Sequence, residues 1–539
     1  MKLLYLLLFV SVSPFVLAQS VTLDTAFGTG GRVINNTITS GQAIQLQGDG
    51  KIVSCYLSDF SIAGNVNLVR FNIDGSIDNT FGNNGFVNTT VVNESGGINM
   101  MKIQSDGKIL ITGTFSSNGT ANGSYFDFCT ARFNPDGSID TAFGTNGYVR
   151  TGFQDLSFDT STAIEIQNDG KILIGGYSSA SYLVSENYSF DFAVIRYLSD
   201  GTIDTSFGLN GRFLHNFGNC TVPLSSTFST DYVTAIKINT ADKIIIAGIT
   251  NVNESLEDYD NFGFICLNPN GTLDTSFGTE GQKVVDFGAK DYFWNLKLTN
   301  DDKIIATGSY GYTTIDGSYA KIAIVKLLEN GNFDSSFGNN GIVLANRDSS
   351  NLLDTASDLV IQPDGKIICF GTTAQDAAGL IGNLLLIRFN ADGTIDSTFN
   401  NVGYKVVDFD NSSVSGNSFV IQEDGKLVCA GSIDYSIGCL ARLEVNSLST
   451  NTFESTPFSI YPNPFTNKIN LSLNLDQSET LSANLFDCNG RKIQNIIQDK
   501  SFPFGKSTFE IQMPESLANG IYFVSVFNGT KNTTLKIIK

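Results

Sequence analysis

The chain has 539 residues, more than one ordinary hydrophobic core organises, so several domains or a repeat architecture are expected. Lys and Arg number 33 against 53 Asp and Glu, a net charge of −20 with no long single-sign block, which argues against nucleic acid or an anionic membrane as partner, since both are bound through clustered positive charge. Eight Cys are too few for a disulfide scaffold; Cys55, Cys369 and Cys429 sit in apolar runs as small hydrophobes, and a disulfide between Cys429 and Cys439 is left open.

In chain order, Met1 and Lys2 precede the apolar run "LLYLLLFVSV", and Val16 and Ala18 occupy the small positions of a cleavage site. Residues 1–18 therefore read as a secretory signal peptide, cut after Ala18. No later stretch is long and apolar enough for a transmembrane segment, and no Cys follows the cut to take a lipid.

A repeat follows. "DGSIDNTFGNNG" (Asp74 to Gly85) and "DGSIDTAFGTNG" (Asp136 to Gly147) are near copies, and the Phe of this motif recurs at Phe27, Phe81, Phe143, Phe207, Phe277, Phe337 and Phe399, at intervals of 54 to 70 residues. Periods of that length with β-type patterning point to a propeller or solenoid. In the first unit, "AIQLQ", "KIVSCY", "NLVRFN" and "FVNTT" read as four strands, with an Asp-Gly pair before Lys51 that suits a type I′ hairpin turn. The pair recurs before Lys108, Lys171, Lys366 and Lys426, while Asp242 and Asp302 stand in for the Gly before Lys243 and Lys303.

Four strands repeated seven times predict an all-β, seven-bladed β-propeller over residues 19–446. The last unit lacks a copy of the motif after Glu444, whereas an orphan copy, "LDTAFGTGGRV", starts at Leu23, so the N-terminal segment is expected to close the ring. Asp24, Asp78, Asp140, Asp204, Asp274, Asp334 and Asp396 are read as caps of local backbone N–H groups, and each motif Phe as a plug between blades.

The motif spans ten positions from Gly to Gly in all six internal copies, whereas the spacing from the hairpin Lys to the position of Arg70 runs from 16 to 25 residues, and that from the motif Gly to the next Lys from 20 to 32. Antiparallel order puts the constant turns on one face and the variable loops on the other, which is where binding is expected. The spelling "RFNPDGSIDTAFGTNG" resembles the delta-60 repeat family of β-propellers over Leu23 to Glu444, with Cys266 and Lys326 replacing the Arg and "FNNVG" replacing the usual "FGxxG" at Phe399. That resemblance implies a fold and carries no activity.

Residues 447–455 read as a polar linker. Residues 456–539 hold alternating strands enough for a small sandwich. "YPNP" (Tyr461, Pro462, Asn463, Pro464), the Asp487 to Gly490 turn of "DCNGRK", and Gly520 with Tyr522 near the C-terminus resemble the type A sorting domain of the type IX secretion system. The resemblance implies export to the outer surface of a Gram-negative cell, with the secretion machinery as partner.

Chemistry is sparse. His215, the only His, reads as a surface or packing residue, and no Gly-rich phosphate loop precedes a helix. Asp258 and Asp260 in "ESLEDYDNFG" are the candidates for Ca²⁺, but the run lacks the closing Glu of a calcium loop and reads first as a solvated acidic loop. The variable loops are rich in Tyr, Asn, Ser and Gly; Tyr182, Tyr188, Tyr259, Tyr310, Tyr312 and Trp294 are the candidate ligand contacts, to a protein or a glycan. No cofactor and no catalytic residue is assigned. A surface-displayed binding protein is the leading reading, with a polysaccharide- or peptide-degrading enzyme using carboxylates at the propeller mouth, or a purely structural surface protein, as alternatives.

Overall fold

The computed structural model describes residues 19–57, 65–90, 96–117, 125–153, 157–179, 189–218, 229–251, 260–314, 317–347, 353–374, 381–410, 412–447, 458–461, 463, 465–475, 478–487, 491–503, 505–514, 517–518, 520–527 and 532–539. The expected signal peptide, residues 1–18, lies outside them. Every regular element described is a β-strand, and the chain divides into two compact units, Met1–Leu448 and Ser449–Lys539.

In the first unit, antiparallel strands pair in chain order, four to a set; the first set is Thr39–Leu46, Ile52–Leu57, Asn65–Phe71 and Phe86–Thr90. The first strands of the following sets are Gly96–Ile103, Phe158–Ile166, Tyr232–Ile238, Asp291–Leu298, Asp354–Ile361 and Val414–Ile421. Among the described residues the last set has three strands of its own, and its third, Ile437–Ser447, pairs with both Gln19–Leu23 and Arg32–Asn35. Second and third strands are the apolar centre of each set; Gly382–Phe389, for example, is buried along its whole length. Their residues form shared cores between consecutive sets, and one such core joins Ile44 and Ile52 of the first set to Val428, Ala430 and Leu440 of the last.

The repeated motif locks these sets together. Arg70 donates from Nε to Asp78 Oδ2 at 2.7 Å, Lys51 reaches the same oxygen at 2.9 Å, and the guanidinium lies 4.6 Å from the Phe81 ring centre. Arg70 Nη1 also donates to the Pro135 carbonyl of the next set at 2.6 Å. Asp78 Oδ1 accepts the Thr80 N–H at 3.1 Å, the expected cap, so one carboxylate both shapes its turn and holds two cations. Phe81 is fully buried, and a Cβ on Gly137 of the next set would sit 2.9 Å from its ring; Gly82 N–H donates to the Asp136 carbonyl at 2.8 Å. Asp24 repeats the arrangement across the chain ends: Arg442 Nε donates to it at 2.7 Å and Lys426 Nζ at 2.8 Å, with the Arg442 guanidinium 4.7 Å from Phe27.

One expectation changes and one open question closes. The hairpin before Lys51 is a three-residue loop with a G1 bulge, not a type I′ turn: Gly50 alone has positive φ (+80°), its N–H donates to the Gln47 carbonyl, and Gln47 N–H donates to the Lys51 carbonyl. Asp242 and Asp302 do take the left-handed conformation at the Gly position, with φ of 57° and 59°. The question of a Cys429–Cys439 disulfide resolves against it, because the register sets Cys439 opposite Gly431 and Cys429 opposite Ala441, and both thiols are free and buried.

The second unit has a three-stranded sheet, Phe458–Tyr461, Lys468–Leu475 and Gly505–Gln512, and a four-stranded sheet, Lys492–Phe502, Glu479–Asp487, Ile521–Phe527 and Asn532–Ile538. Alternate residues of both, including Ile469, Leu471, Leu485 and Val524, share one core.

Candidate functional site

The first strand of each set starts at the variable-loop face and ends at a constant turn. All seven carry a bulge at one equivalent position, leaving Gln42, Asn99, Thr162, Thr234, Trp294, Ser357 and Asn417 outside the ladder. Three of these side chains reach the next first strand at the same place: Asn99 Nδ2 donates to the Ser161 carbonyl at 2.7 Å, Thr162 Oγ1 to that of Val233, and Ser357 Oγ to that of Gly416 at 2.6 Å. The belt breaks at Trp294. Thr234 Oγ1 is buried without a partner among the described residues, and Trp294 is 48% exposed.

Alternation and the bulge put Tyr292, Trp294, Asn295 and Lys297 on one side of Asp291–Leu298, with Phe293 and Leu296 buried on the other. Asn295 Nδ2 donates to Asp358 Oδ1 at 2.8 Å, and Lys297 Nζ lies 3.9 Å from the same oxygen. Further round, Glu165 takes Lys102 on Oε1 at 2.7 Å and Lys237 on Oε2. Lys102, Glu165, Lys237 and Lys297 occupy one repeat position, six residues before the hairpin Lys, so the axis carries three ammonium groups against the carboxylates of Glu165 and Asp358.

Burial pushes the Glu165 carboxyl up, but Lys237 and Lys102 outweigh it and hold it at about 2. Burial lowers Lys297, with Asp358 opposing and Lys237 and Lys102 adding to the fall. Lys297 nevertheless keeps about a third of its side-chain surface accessible. Glu165 accounts for Lys102 and Lys237; among the described residues the ion pair of Lys297 is its long contact with Asp358.

At the variable-face end, Asp159, Asp231, Asp291 and Asp354 recur at the start of four first strands. Each accepts a backbone N–H from the connection before it: Phe153 at 2.9 Å, Phe217 at 3.1 Å, Phe287 at 3.0 Å and Arg347 at 2.7 Å. Thr250 and Thr373 add hydroxyl bonds to Asp231 and Asp354, whereas Tyr310 stands opposite Asp291, whose Oδ1 is buried and unpartnered among the described residues. Burial raises Asp159 to about 6, Asp231 to about 7 and Asp291 to about 8.

Of the candidate ligand contacts, Tyr182, Tyr188 and Tyr259 lie outside the described residues, as do Asp258 and the side chain of Tyr312. Tyr310 packs edge-on against Phe287, and Asp260 is 3.4 Å from Lys290. Trp294, half exposed, emerges on the same side of Asp291–Leu298 as Lys297. His215 sits on Arg212–His215, bonded through Nε2 to Gln282 Oε1 at 2.8 Å and packed on Phe213 and Phe217, and burial lowers its pKa. The axial lysines were missed at the sequence level, although their common offset from the hairpin Lys was available as a signal.

In the second unit, Asn463 clamps the last strand: its Nδ2 donates to the Lys536 carbonyl at 3.1 Å and its Oδ1 accepts the Ile538 N–H at 2.8 Å. Asp487 accepts the Arg491 N–H at 2.9 Å, Gly520 exchanges backbone bonds with Lys539, and Tyr522 donates to the Ala518 carbonyl at 2.8 Å. Tyr461 is 48% exposed at a strand end, and Pro462, Pro464 and Gly490 lie outside the described residues. Residues 459–539 match the secretion system C-terminal sorting domain family. Six segments, 47–81, 104–143, 167–207, 241–277, 299–337 and 362–399, match the beta-propeller domain of unknown function DUF5122, each ending on a motif Phe. The chain is a DUF5122 beta-propeller protein with a secretion sorting domain.

The sorting domain gives this DUF5122 protein the type IX secretion machinery as partner, and marks it for export and attachment at the outer surface of a Gram-negative cell. Among the described residues no helix is long and apolar enough to cross a membrane. No curated protein matches the chain. Solved structures similar to it include a mannose phosphorylase of Leishmania mexicana (13% identity, TM-score 0.26, covering 52% of this chain and 81% of that one). A glucose dehydrogenase (9%, 0.33, 75% and 96%) and the N-terminal domain of Nup159 (9%, 0.36, 79% and 96%) also match. Scores this low bear on neither fold nor activity.

Proposed function

We propose that the DUF5122 region is a seven-bladed ring closed by residues 23–33, exported after removal of residues 1–18, and that it binds a protein or glycan through its variable-loop face and the mouth of its axial channel. The pairing of Arg32–Asn35 with Ile437–Ser447, and of Asp24 with Arg442, supports the closure. The observation that carries the binding reading is the asymmetry between faces. On one face six of the seven motifs are tied to the next by the same Gly N–H contact, and four of them by an Arg as well, which fixes those turns as framework. On the other, connection lengths differ from set to set, and the exposed Trp294 and Tyr292 sit on the first strand whose bulge residue is not polar.

Binding is preferred to catalysis because the carboxylates nearest that mouth already have structural duties. Asp159, Asp231, Asp291 and Asp354 each hold a backbone N–H, and Asp159, Asp231 and Asp354 a hydroxyl as well. Trp294 is the only tryptophan, so its emission reports the channel directly. The full chain is screened on a glycan array and against purified surface proteins, with residues 180–188 and 252–259 replaced by short Gly-Ser turns in parallel. Specific binding that the replacements remove is the expected result; binding indifferent to them, or no binding at all, defeats the reading.

A further inference from the structure

Cys266 stands where the other sets carry Arg70, Arg132, Arg196, Arg388 and Arg442, or Lys326. The five arginines show what the position is built to hold. Each donates from its guanidinium to the Asp of its own motif and stacks on the motif Phe, at 4.5 to 4.7 Å from the ring centre. Arg70, Arg132, Arg196 and Arg442 also donate to a carbonyl two residues before the Gly of the next motif, those of Pro135, Ser199, Pro269 and Ile73.

In the fourth set the Asp and the Phe are present as Asp274 and Phe277, and the matching carbonyl belongs to Glu329. The Cys266 side chain is too short to reach any of them as Arg does; its Sγ lies 3.9 Å from Asp274 Oδ2. A cavity of about 440 Å³ opens there on the constant-turn face, lined by Asp274, Phe277, Lys243, Lys303, Glu329 and Asn330 among others. Its two lysines face Asp274, Asp301 and Glu329, so the lining is one negative charge in excess. Lys243 pairs with Asp274 at 2.7 Å, as Lys51 does with Asp78 beside Arg70, so its presence leaves room for a second cation.

We propose that this cleft is a docking slot for the arginine side chain of a partner protein, whose guanidinium would donate to Asp274 and the Glu329 carbonyl. The preference for arginine over lysine follows from geometry: Lys326, which fills this position in the fifth set, lies 3.7 Å from Asp334 Oδ2 and donates to the Ala391 carbonyl at 3.4 Å, whereas Arg70 makes the same two contacts at 2.7 and 2.6 Å with its planar fork. The slot is on the face opposite the proposed ligand mouth, so it is independent of that reading.

The test uses the full chain, with N-acetyl-arginine amide and N-acetyl-lysine amide as probes at equal ionic strength, read by thermal unfolding and by calorimetry. A single side chain should bind in the millimolar range. Expected are a saturable rise in melting temperature with the arginine probe, at least about fivefold weaker binding of the lysine probe, retention in Cys266→Ser, and loss in Cys266→Arg, which should itself melt higher because it fills the cleft. Should Cys266→Arg fail to fold, Asp274→Asn serves instead and should also lose the response. Equal responses to the two probes, an unchanged response in Cys266→Arg or Asp274→Asn, or no response in the parent chain would overturn the proposal.

Discussion

Single carboxylates in this protein are tuned in opposite directions by what surrounds them. Asp291 is buried, with one oxygen on the Phe287 N–H and the other unpartnered among the described residues, and burial lifts it to about 8. An acid whose folded-state pKa is raised binds its proton in the native chain after the unfolded chain has lost it, so stability falls as pH rises from about 4 to about 8. Asp291→Asn keeps the acceptor for Phe287 without the charge and should gain at least about 1 kcal/mol at pH 8 relative to pH 5 in urea unfolding. Glu165 has the opposite sign: held at about 2 between two lysines, it contributes stability above its ordinary range that is lost as pH falls from about 4.5 toward 2. Glu165→Gln should cost about 3 kcal/mol at pH 7, because Lys102 and Lys237 are left facing each other, and the deficit should shrink in acid. At this scale the caps were legible, since Asp two residues before Thr or Ser states its own hydrogen bond. The cations on the second oxygen were not, since Arg70 and Asp78 meet only once two strands and a turn are folded.

Turns and strands were read with unequal success, and for definable reasons. The motif was recognisable as framework because its length is fixed by contacts on both sides: Gly137, for instance, has φ of +86° and no room for a Cβ over Phe81 and Val87. Gly30 has a similar sign, φ +59°, but open space around it. Gly30→Ala should therefore cost about 1 kcal/mol and Gly137→Ala about 2 to 4 kcal/mol, a difference measurable by denaturant titration. The hairpin type was misjudged because an Asp-Gly pair serves a two-residue I′ turn and a three-residue bulged loop equally, and only the φ of the Asp separates them. The bulge in each first strand was invisible for a related cause. One extra residue breaks the two-fold alternation, so the side on which Trp294 emerges cannot be counted from the strand's beginning.

At the level of the whole molecule, the repeat and the sorting domain were legible because each is spelled many times or in several separated motifs, whereas the ligand face varies in length and carries no repeated signal. The proposed ring makes a definite demand on the joint between its ends. Asp24→Ala would leave Arg442 and Lys426 without their shared carboxylate and should cost about 3 kcal/mol. Hydrogen exchange should then accelerate in Ile437–Ser447 ahead of the middle sets. Exchange there that stays at the parent rate would show the joint to be incidental.

That joint also sets an order of events. Asp24 and Arg442 stand 418 residues apart, and bringing such distant ends together costs roughly 5 kcal/mol of chain entropy, little more than a loop a quarter as long. The strands emerging first from the ribosome must nonetheless wait for those emerging last, and until then the nascent polypeptide carries a bare sheet margin open to its neighbours. A cell making this protein therefore gains by shielding Arg32–Asn35 and its future partner until synthesis is complete, and truncated products should aggregate where full-length ones do not.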